Sequence, residues 1–299
     1  MTLPRESSKR HSERRLNVMP GGKSLKYHGA QPLRPRKSLG QNFLQDENIT
    51  RKIVRAICPQ PSDVMLEIGP GEGALTKYLA PSVRHLIAVD VDDRVVVRMR
   101  EWFPEIEVIR GDFLEIDLHT LARNHPGPFR VVGNIPYNIT SPILFHLLEH
   151  RAAISDVMLM VQKEVAQRLV AMPGSKDYGI LSVSFQLFAD VEILFDVSRN
   201  AFYPKPDVTS SIIHLEMLES PRYRLVDEQA FRSMVRSIFG KRRKMLRGSM
   251  KTFCDQQGYM LPTEVDLTKR PEQLSIEELV RMGNALVNAT PARQYPLSR

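Results

Sequence analysis

Five short apolar runs, at 64–68, 86–89, 108–109, 129–132 and 157–161, alternate with helix-length segments at 74–79, 94–102, 118–123 and 142–149. This alternation constrains the fold more than any other feature of the chain. Apolar runs too short for helices and lacking a polar alternation are strands buried on both faces. Buried strands separated by helices form a mostly parallel sheet with helices on both sides. Two later runs, at 191–197 and 211–218, are joined by a Pro-containing connection through 202–207 and read as an antiparallel pair at one end of that sheet. The expected class is therefore α/β, a mostly parallel sheet with an antiparallel pair at one end. After Ser220-Pro221 the spacing becomes helical at 227–239, 243–257 and 275–288, and Ser275 with Glu278 forms a capping box. This region reads as a small all-α domain.

Chemistry-bearing residues fall where successive strands end. The first strand runs into Glu67-Ile68-Gly69-Pro70-Gly71-Glu72-Gly73. Glycine allows a tight turn and close approach of a ligand to the backbone, and the following helix start offers free N–H groups. The Gly-x-Gly-x-Gly spacing differs from the dinucleotide fingerprint, and no Gly-Lys-Ser/Thr follows, so a pyrophosphate is disfavoured. The second strand ends in Asp90, positioned to accept both hydroxyls of a ribose. Helix capping is the competing role, with Asp92 and Asp93 adjacent. The third ends in Arg110-Gly111-Asp112, where an acid can bond the exocyclic amine of an adenine. Such an acidic edge suits a positively charged nucleoside better than a phosphate.

The fourth strand runs into Gly133-Asn134-Ile135-Pro136-Tyr137. An adenine N6 amine is a poor nucleophile because its lone pair is delocalised. To attack a methyl group it must lose conjugation and gain positive charge, which oxygen acceptors aimed at its hydrogens stabilise. The Asn134 side-chain oxygen is one acceptor. Pro136 biases Ile135 to an extended conformation and lacks an N–H, which favours a free Ile135 carbonyl as the second. Tyr137 can stack on the base, and Phe202 can supply the other face of an aromatic clamp. A buried loop aromatic is the plainer role for Phe202. No general base is required before transfer.

The net charge of +8 is concentrated at the start. Residues 1–40 hold ten Lys/Arg against two acids, whereas residues 41–299 are formally neutral. Residues 1–36 read as a disordered basic arm. A second cluster, Lys241, Arg242, Arg243, Lys244 and Arg247, suits phosphates, with a solvated helix face as the alternative. Two distant cysteines, no apolar run of spanning length and no secretory signal point to a cytoplasmic protein without disulfides, structural metal or membrane partner.

At these residues the sequence resembles the ribosomal RNA adenine dimethyltransferase family, in particular its bacterial small-subunit members. The resemblance runs from about residue 36 to 286. It rests on Leu39-Gly40-Gln41-Asn42-Phe43-Leu44, 66–76, Gly111-Asp112, 134–148, 162–169, Pro173-Gly174-Ser175-Lys176-Asp177-Tyr178-Gly179, 201–206, 242–247 and 270–275. It implies a Rossmann-like S-adenosylmethionine methyltransferase domain, its sheet mostly parallel with one antiparallel strand, at 37–219, a helical rRNA-binding domain at 220–288 and a tail at 289–299. It implies dimethylation of two adjacent adenosines near the 3′ end of 16S rRNA in the small subunit and a role in ribosome biogenesis; a monomer is expected. The implied cofactor contacts fall on Asn42, Leu44, Gly69, Asp90, Asp112 and Asn134; Glu67 and Gly71, in the glycine-rich turn, are expected to join them. Asp90 stands where the family commonly has Glu. The alternatives are a large-subunit rRNA or DNA adenine-N6 methyltransferase, and an assembly factor acting mainly by binding. DNA enzymes of this chemistry usually carry Pro where Ile135 stands, and the 173–179 segment favours the small-subunit group.

Overall fold

The computed structural model describes residues 31–241, 244–261 and 266–289. Of the expected basic arm, residues 1–30 lie outside the described residues, as do Arg242, Arg243 and the tail beyond Ala289. The described residues from Pro32 onward form one compact unit. It opens with strand β1 (Phe43–Leu44) and helix α1 (Glu47–Ile57), followed by β2 (Val64–Ile68), α2 (Thr76–Leu79), β3 (His85–Asp90) and α3 (Asp93–Trp102). Next come β4 (Glu107–Arg110), α4 (Leu118–Ala122), β5 (Phe129–Asn134), α5 (Thr140–Glu149), β6 (Ile154–Gln162), α6 (Lys163–Val170) and α7 (Ile180–Phe188). The chain closes with β7 (Ala189–Val197), β8 (Phe202–Tyr203), β9 (Ser210–Met217), α8 (Glu228–Phe239), α9 (Leu246–Gln257) and α10 (Ile276–Ala289).

Seven strands form one sheet in the order β4-β3-β2-β5-β6-β9-β7. Strands β2 to β6 are mutually parallel, and β9 alone runs against its neighbours β6 and β7. The sheet is thus the mostly parallel one expected, with a single antiparallel strand. From β2 the chain winds outward through β3 to β4, then returns to place β5 on the other side of β2. This reversal opens a crevice at the carboxyl ends of β2 and β5, the usual ligand position in open α/β sheets.

Period-two geometry divides the core between the two sheet faces. Val64, Leu66 and Ile68 of β2 join one apolar cluster with Leu144 and Leu147 of α5 and Phe185 of α7. Met65 joins the other, with Ile53, Val54 and Ile57 of α1 and Leu79 of α2. The first cluster continues without a break into Phe231 and Met234 of α8, Met250 of α9 and Leu279 of α10. The helical region therefore shares the apolar core of the sheet. Its last helix starts as the sequence indicates: Glu278 N–H donates to Ser275 Oγ at 3.1 Å, and Ser275 N–H donates to the Glu278 carboxylate at 2.8 Å.

Two local outcomes differ from the sequence reading. The helix expected over 74–79 begins only at Thr76 and makes one turn. Gly69, Gly71 and Gly73 all have left-handed φ, which keeps the preceding chain in turns. Helices α1, α6 and α7 were not marked by the spacing argument. Yet α1 carries a clear signal: Asp46 caps it through bonds from Asn48 and Ile49 N–H, and it buries Thr50, Ile53, Val54 and Ile57.

Candidate active site

At the crevice, Ile68 pairs with Gly133, so the glycine-rich turn and the β5 turn emerge side by side. A Cβ on Gly133 would sit 2.6 Å from the Ile68 carbonyl oxygen, so only glycine permits this strand approach. Gly71, at φ 56°, lies under the Phe43 ring, where a Cβ would be 3.0 Å from the ring edge. The two turns and the segment 38–44 enclose a cavity of about 300 Å³. Its lining includes Asn42, Leu44, Glu67, Gly69, Gly71, Asp90, Asp112, Asn134, Ile135 and Tyr137. These ten sequence-selected residues therefore meet at one place, although they come from separate segments of the chain.

The acids there have distinct environments. Asp90, partly exposed at the end of β3, accepts the Asp92 backbone N–H at 2.8 Å. Burial raises its pKa to about 6, against the lowering effect of backbone donors including Gly71. Asp92, not Asp90, caps α3 by accepting Arg94 N–H, which resolves the choice between the two acids. Asp112 is exposed, lines the cavity, and caps the turn Phe113–Glu115 by accepting Leu114 N–H on Oδ1 at 2.9 Å. Glu67 is 2% exposed and accepts the Thr76 hydroxyl at 2.7 Å. Burial first, and the nearby charge of Asp90, raise its pKa to about 7, opposed by the Thr76 bond.

The β5 side is neutral and held by tethers. Asn134 Nδ2 donates to the Asn42 carbonyl at 2.9 Å, which leaves Oδ1 as an acceptor. Among the described residues no hydrogen bond reaches the Ile135 carbonyl, whereas the next one, Pro136, accepts from Ile139 and Thr140. The Tyr137 hydroxyl shares a 2.5 Å hydrogen bond with Ser210 Oγ, fixing the half-buried ring against the start of β9. Burial raises its pKa, so the phenol stays neutral.

Phe202 is placed differently. It is 5% exposed in β8, packed with Leu44 in the second apolar cluster, and does not line the cavity. The pleat turns its neighbour Tyr203 outward instead, at 57% exposure, opposite Phe43 of β1. Lys241, Lys244 and Arg247 are exposed and lie away from the cavity lining. The start of α9 is pinned by bonds from Leu246 N–H to Lys269 O and from Arg247 N–H to Leu267 O.

The model of the family described as ribosomal RNA adenine dimethylase matches residues 33–288. The chain belongs to the ribosomal RNA adenine dimethylase family. Within this family it is similar to the ribosomal RNA small subunit methyltransferase A of Chlorobium luteolum, 46% identical over 88% of this chain and 94% of that protein. The counterpart from Chromohalobacter salexigens is 42% identical over 86% of this chain and 93% of its own length. Among solved structures, a dimethyladenosine transferase from Plasmodium falciparum superposes with a TM-score of 0.65 at 27% identity, covering 80% of this chain and 95% of that one. The 23S rRNA methyltransferase ErmE gives 0.59 at 29% identity, covering 82% and 100%. The dimethylase match begins at Leu33, within the stretch the sequence assigned to the arm. There, Leu33 N–H donates to Glu72 at 2.7 Å and Arg36 pairs with Asp92 at 3.4 Å.

Several residues that shape the site escaped the sequence argument. Gln41 lines the cavity and donates to Asp92, which Arg94 also bonds, and Ser210 bonds the Tyr137 hydroxyl. Only the capping position of Asp92, just before the apolar spacing Val95, Val96 and Met99, carried a readable signal.

Proposed function

We propose that this protein transfers methyl groups from S-adenosylmethionine to N6 of two adjacent adenosines near the 3′ end of 16S rRNA, in the small ribosomal subunit. The observation that carries this reading is the adjacency of an acidic, glycine-lined cavity to Asn134 with its amide nitrogen already engaged. The curated relatives at 42–46% identity are named for the small-subunit reaction.

The residues present fit the cofactor. Asp90 and Asp112 offer carboxylates at neighbouring strand ends, and the left-handed glycines clear the space above β2. Asp90 is the proposed acceptor for the ribose hydroxyls, Asp112 for the adenine amine, and Asn42, Leu44, Glu67, Gly69, Gly71 and Asn134 complete the wall. When bound, the sulfonium supplies an electrophilic methyl group. The carboxylates favour its positive charge in a partly desolvated site.

The protein's part in transfer is positioning and electrostatics. The Asn134 oxygen and the Ile135 carbonyl accept hydrogen bonds from the target amine. Both strengthen as the amine becomes cationic, so they stabilise the transition state more than the ground state. Tyr137 stacks on the base, its ring orientation held by Ser210. Phe202 backs β1 from the core side and reaches the base only if the 201–206 segment rearranges. Because the N6 proton becomes acidic only after methylation has made the nitrogen cationic, solvent suffices to remove it.

The domain assignment is a methyltransferase unit at 37–219 and an rRNA-binding helical region at 220–288. Lys241, Arg242, Arg243, Lys244 and Arg247 contact phosphates in this reading, and the basic arm adds sequence-independent affinity. The protein acts as a monomer in the cytoplasm. Among the described residues, no helix is long and apolar enough to cross a membrane. Incubating purified protein with labelled S-adenosylmethionine and undermethylated small subunits, then mapping the labelled nucleotides, tests the proposal. Label is expected on two adjacent adenosines near the 3′ end; label confined to other nucleotides, or to large-subunit rRNA, contradicts it.

A further inference from the structure

Asp92 lies outside the cavity lining, is 1% exposed, and uses both carboxylate oxygens. Oδ1 accepts the Arg94 backbone N–H at 3.1 Å and Arg94 Nε at 3.0 Å. Oδ2 accepts Arg94 Nη2 at 2.5 Å and Gln41 Nε2 at 3.0 Å. The Arg36 guanidinium stands 3.4 Å from Oδ1. Capping α3 requires only one oxygen. The other reaches a residue 51 positions earlier in the chain, which capping does not explain.

Gln41 continues the chain of contacts. Its Oε1 accepts the Arg36 backbone N–H at 2.9 Å, closing a loop around Gly40. The next residue, Asn42, presents its carbonyl to Asn134 Nδ2 at 2.9 Å, and its own side chain donates to the Gly40 carbonyl at 3.2 Å. Contacts therefore run from the end of β3, through segment 36–42, to the end of β5.

We infer that segment 36–42 is a latch fastened by Asp92 and Gln41, and that its closure selects the amide orientation of Asn134. A side-chain amide can occupy two flips that exchange oxygen and nitrogen. A fixed Asn42 carbonyl accepts only from nitrogen, so the latched state engages Nδ2 and leaves Oδ1 as the acceptor. In the opposite flip, Asn134 would turn N–H donors toward an amine that needs acceptors. The same segment supplies Ser38 to Asn42 to the cavity wall. One fastening thus completes the cofactor side and aligns the target side. Asp92 and Gln41 are positioning residues, acting through Asn42. The rate consequence rests on the proposed role of Asn134; the amide orientation does not.

The test uses full-length protein in three forms: Gln41→Ala, Asp92→Asn, and the double variant. Asp92→Asn keeps a competent N-cap for α3 while removing the charge that holds Arg36 and Arg94. Circular dichroism establishes folding, and Gln41→Ala, at a half-buried position, serves if Asp92→Asn does not fold. The first readout is the Asn134 side-chain amide resonance in ¹⁵N-labelled protein, assigned with Asn134→Ser. Both variants are expected to shift it and to speed its exchange with water. The second readout is the single-turnover methylation rate at saturating S-adenosylmethionine, expected to fall about tenfold for this scale of misplacement. The double variant should be no slower than the slower single variant, because both substitutions open one latch. An unchanged Asn134 resonance in folded variants, or rate losses that multiply, overturns the inference. A shifted resonance with an unchanged rate upholds the latch and overturns the acceptor role of Asn134.

Discussion

The two halves of the cavity are built on different principles. The β2–β4 half is acidic, and apart from Glu67, which accepts the Thr76 hydroxyl, its residues are held by backbone: left-handed glycines, a strand-end carboxylate accepting an N–H, and capped turns. The β5 half is uncharged, and its residues are held by side-chain tethers, Asn134 to Asn42 and Tyr137 to Ser210. A site that must hold a cation needs charge more than exact aim. A site that must raise the reactivity of an amide-like nitrogen needs aim more than charge. Substitutions in the first half should therefore act on cofactor affinity and its pH dependence, and those in the second on turnover.

Breaking the seam between the halves gives the largest effect. Gly133→Val places a side chain against the Ile68 carbonyl. Overpacking of this kind costs about 1–3 kcal/mol or more, so thermal unfolding should shift downward and both cofactor binding and methylation should fail. Retention of either function would show that the two turns are less dependent on each other than the strand pairing indicates.

Within the β5 half, Tyr137→Ala removes a stacking surface worth about 1–3 kcal/mol, an expected drop of roughly 5- to 150-fold in kcat/KM for the subunit. Isothermal titration of S-adenosylmethionine should be nearly unchanged. In the β2–β4 half, the raised pKa of Asp90, about 6, sets a pH signature. Its carboxylate form accepts the ribose hydroxyls and favours the sulfonium, so cofactor affinity should fall as pH drops through 6. Asp90→Asn should weaken affinity at pH 8 and flatten that pH dependence; an unaltered profile would remove Asp90 from the cofactor site. The smallest effect belongs to the surface. Charge reversal at Lys241, Lys244 and Arg247 should leave cofactor binding intact while weakening subunit binding. The salt slope of that binding should become shallower by about 0.7–0.9 for each phosphate no longer neutralised.

The sequence carried the halves unequally. Strand ends are legible because buried parallel strands are continuous apolar runs, and the one to three residues after each run reach the carboxyl edge. Gly69, Asp90, Asp112 and Asn134 were found this way, and all line the cavity. The roles of Asp90 and Asp92 could not be separated without the strand register, which ends β3 at Asp90 opposite Arg110. The tethers were illegible because they join residues far apart in the chain, 92 positions in the case of Asn42 and Asn134. Phe202 was chosen for its aromatic character, but the direction it faces is set by a two-residue strand pairing with Phe43 and Leu44. Asn42 and Leu44 were assigned through family resemblance alone; the structure places both on the cavity wall.

The most direct test of this division of labour is Asn134→Ala under single-turnover conditions, with S-adenosylmethionine and undermethylated small subunits both saturating. Removal of one preorganised acceptor should slow methyl transfer by about 10²–10³-fold while subunit binding persists. Transfer at the wild-type rate, or failure to bind with transfer intact, would contradict the account.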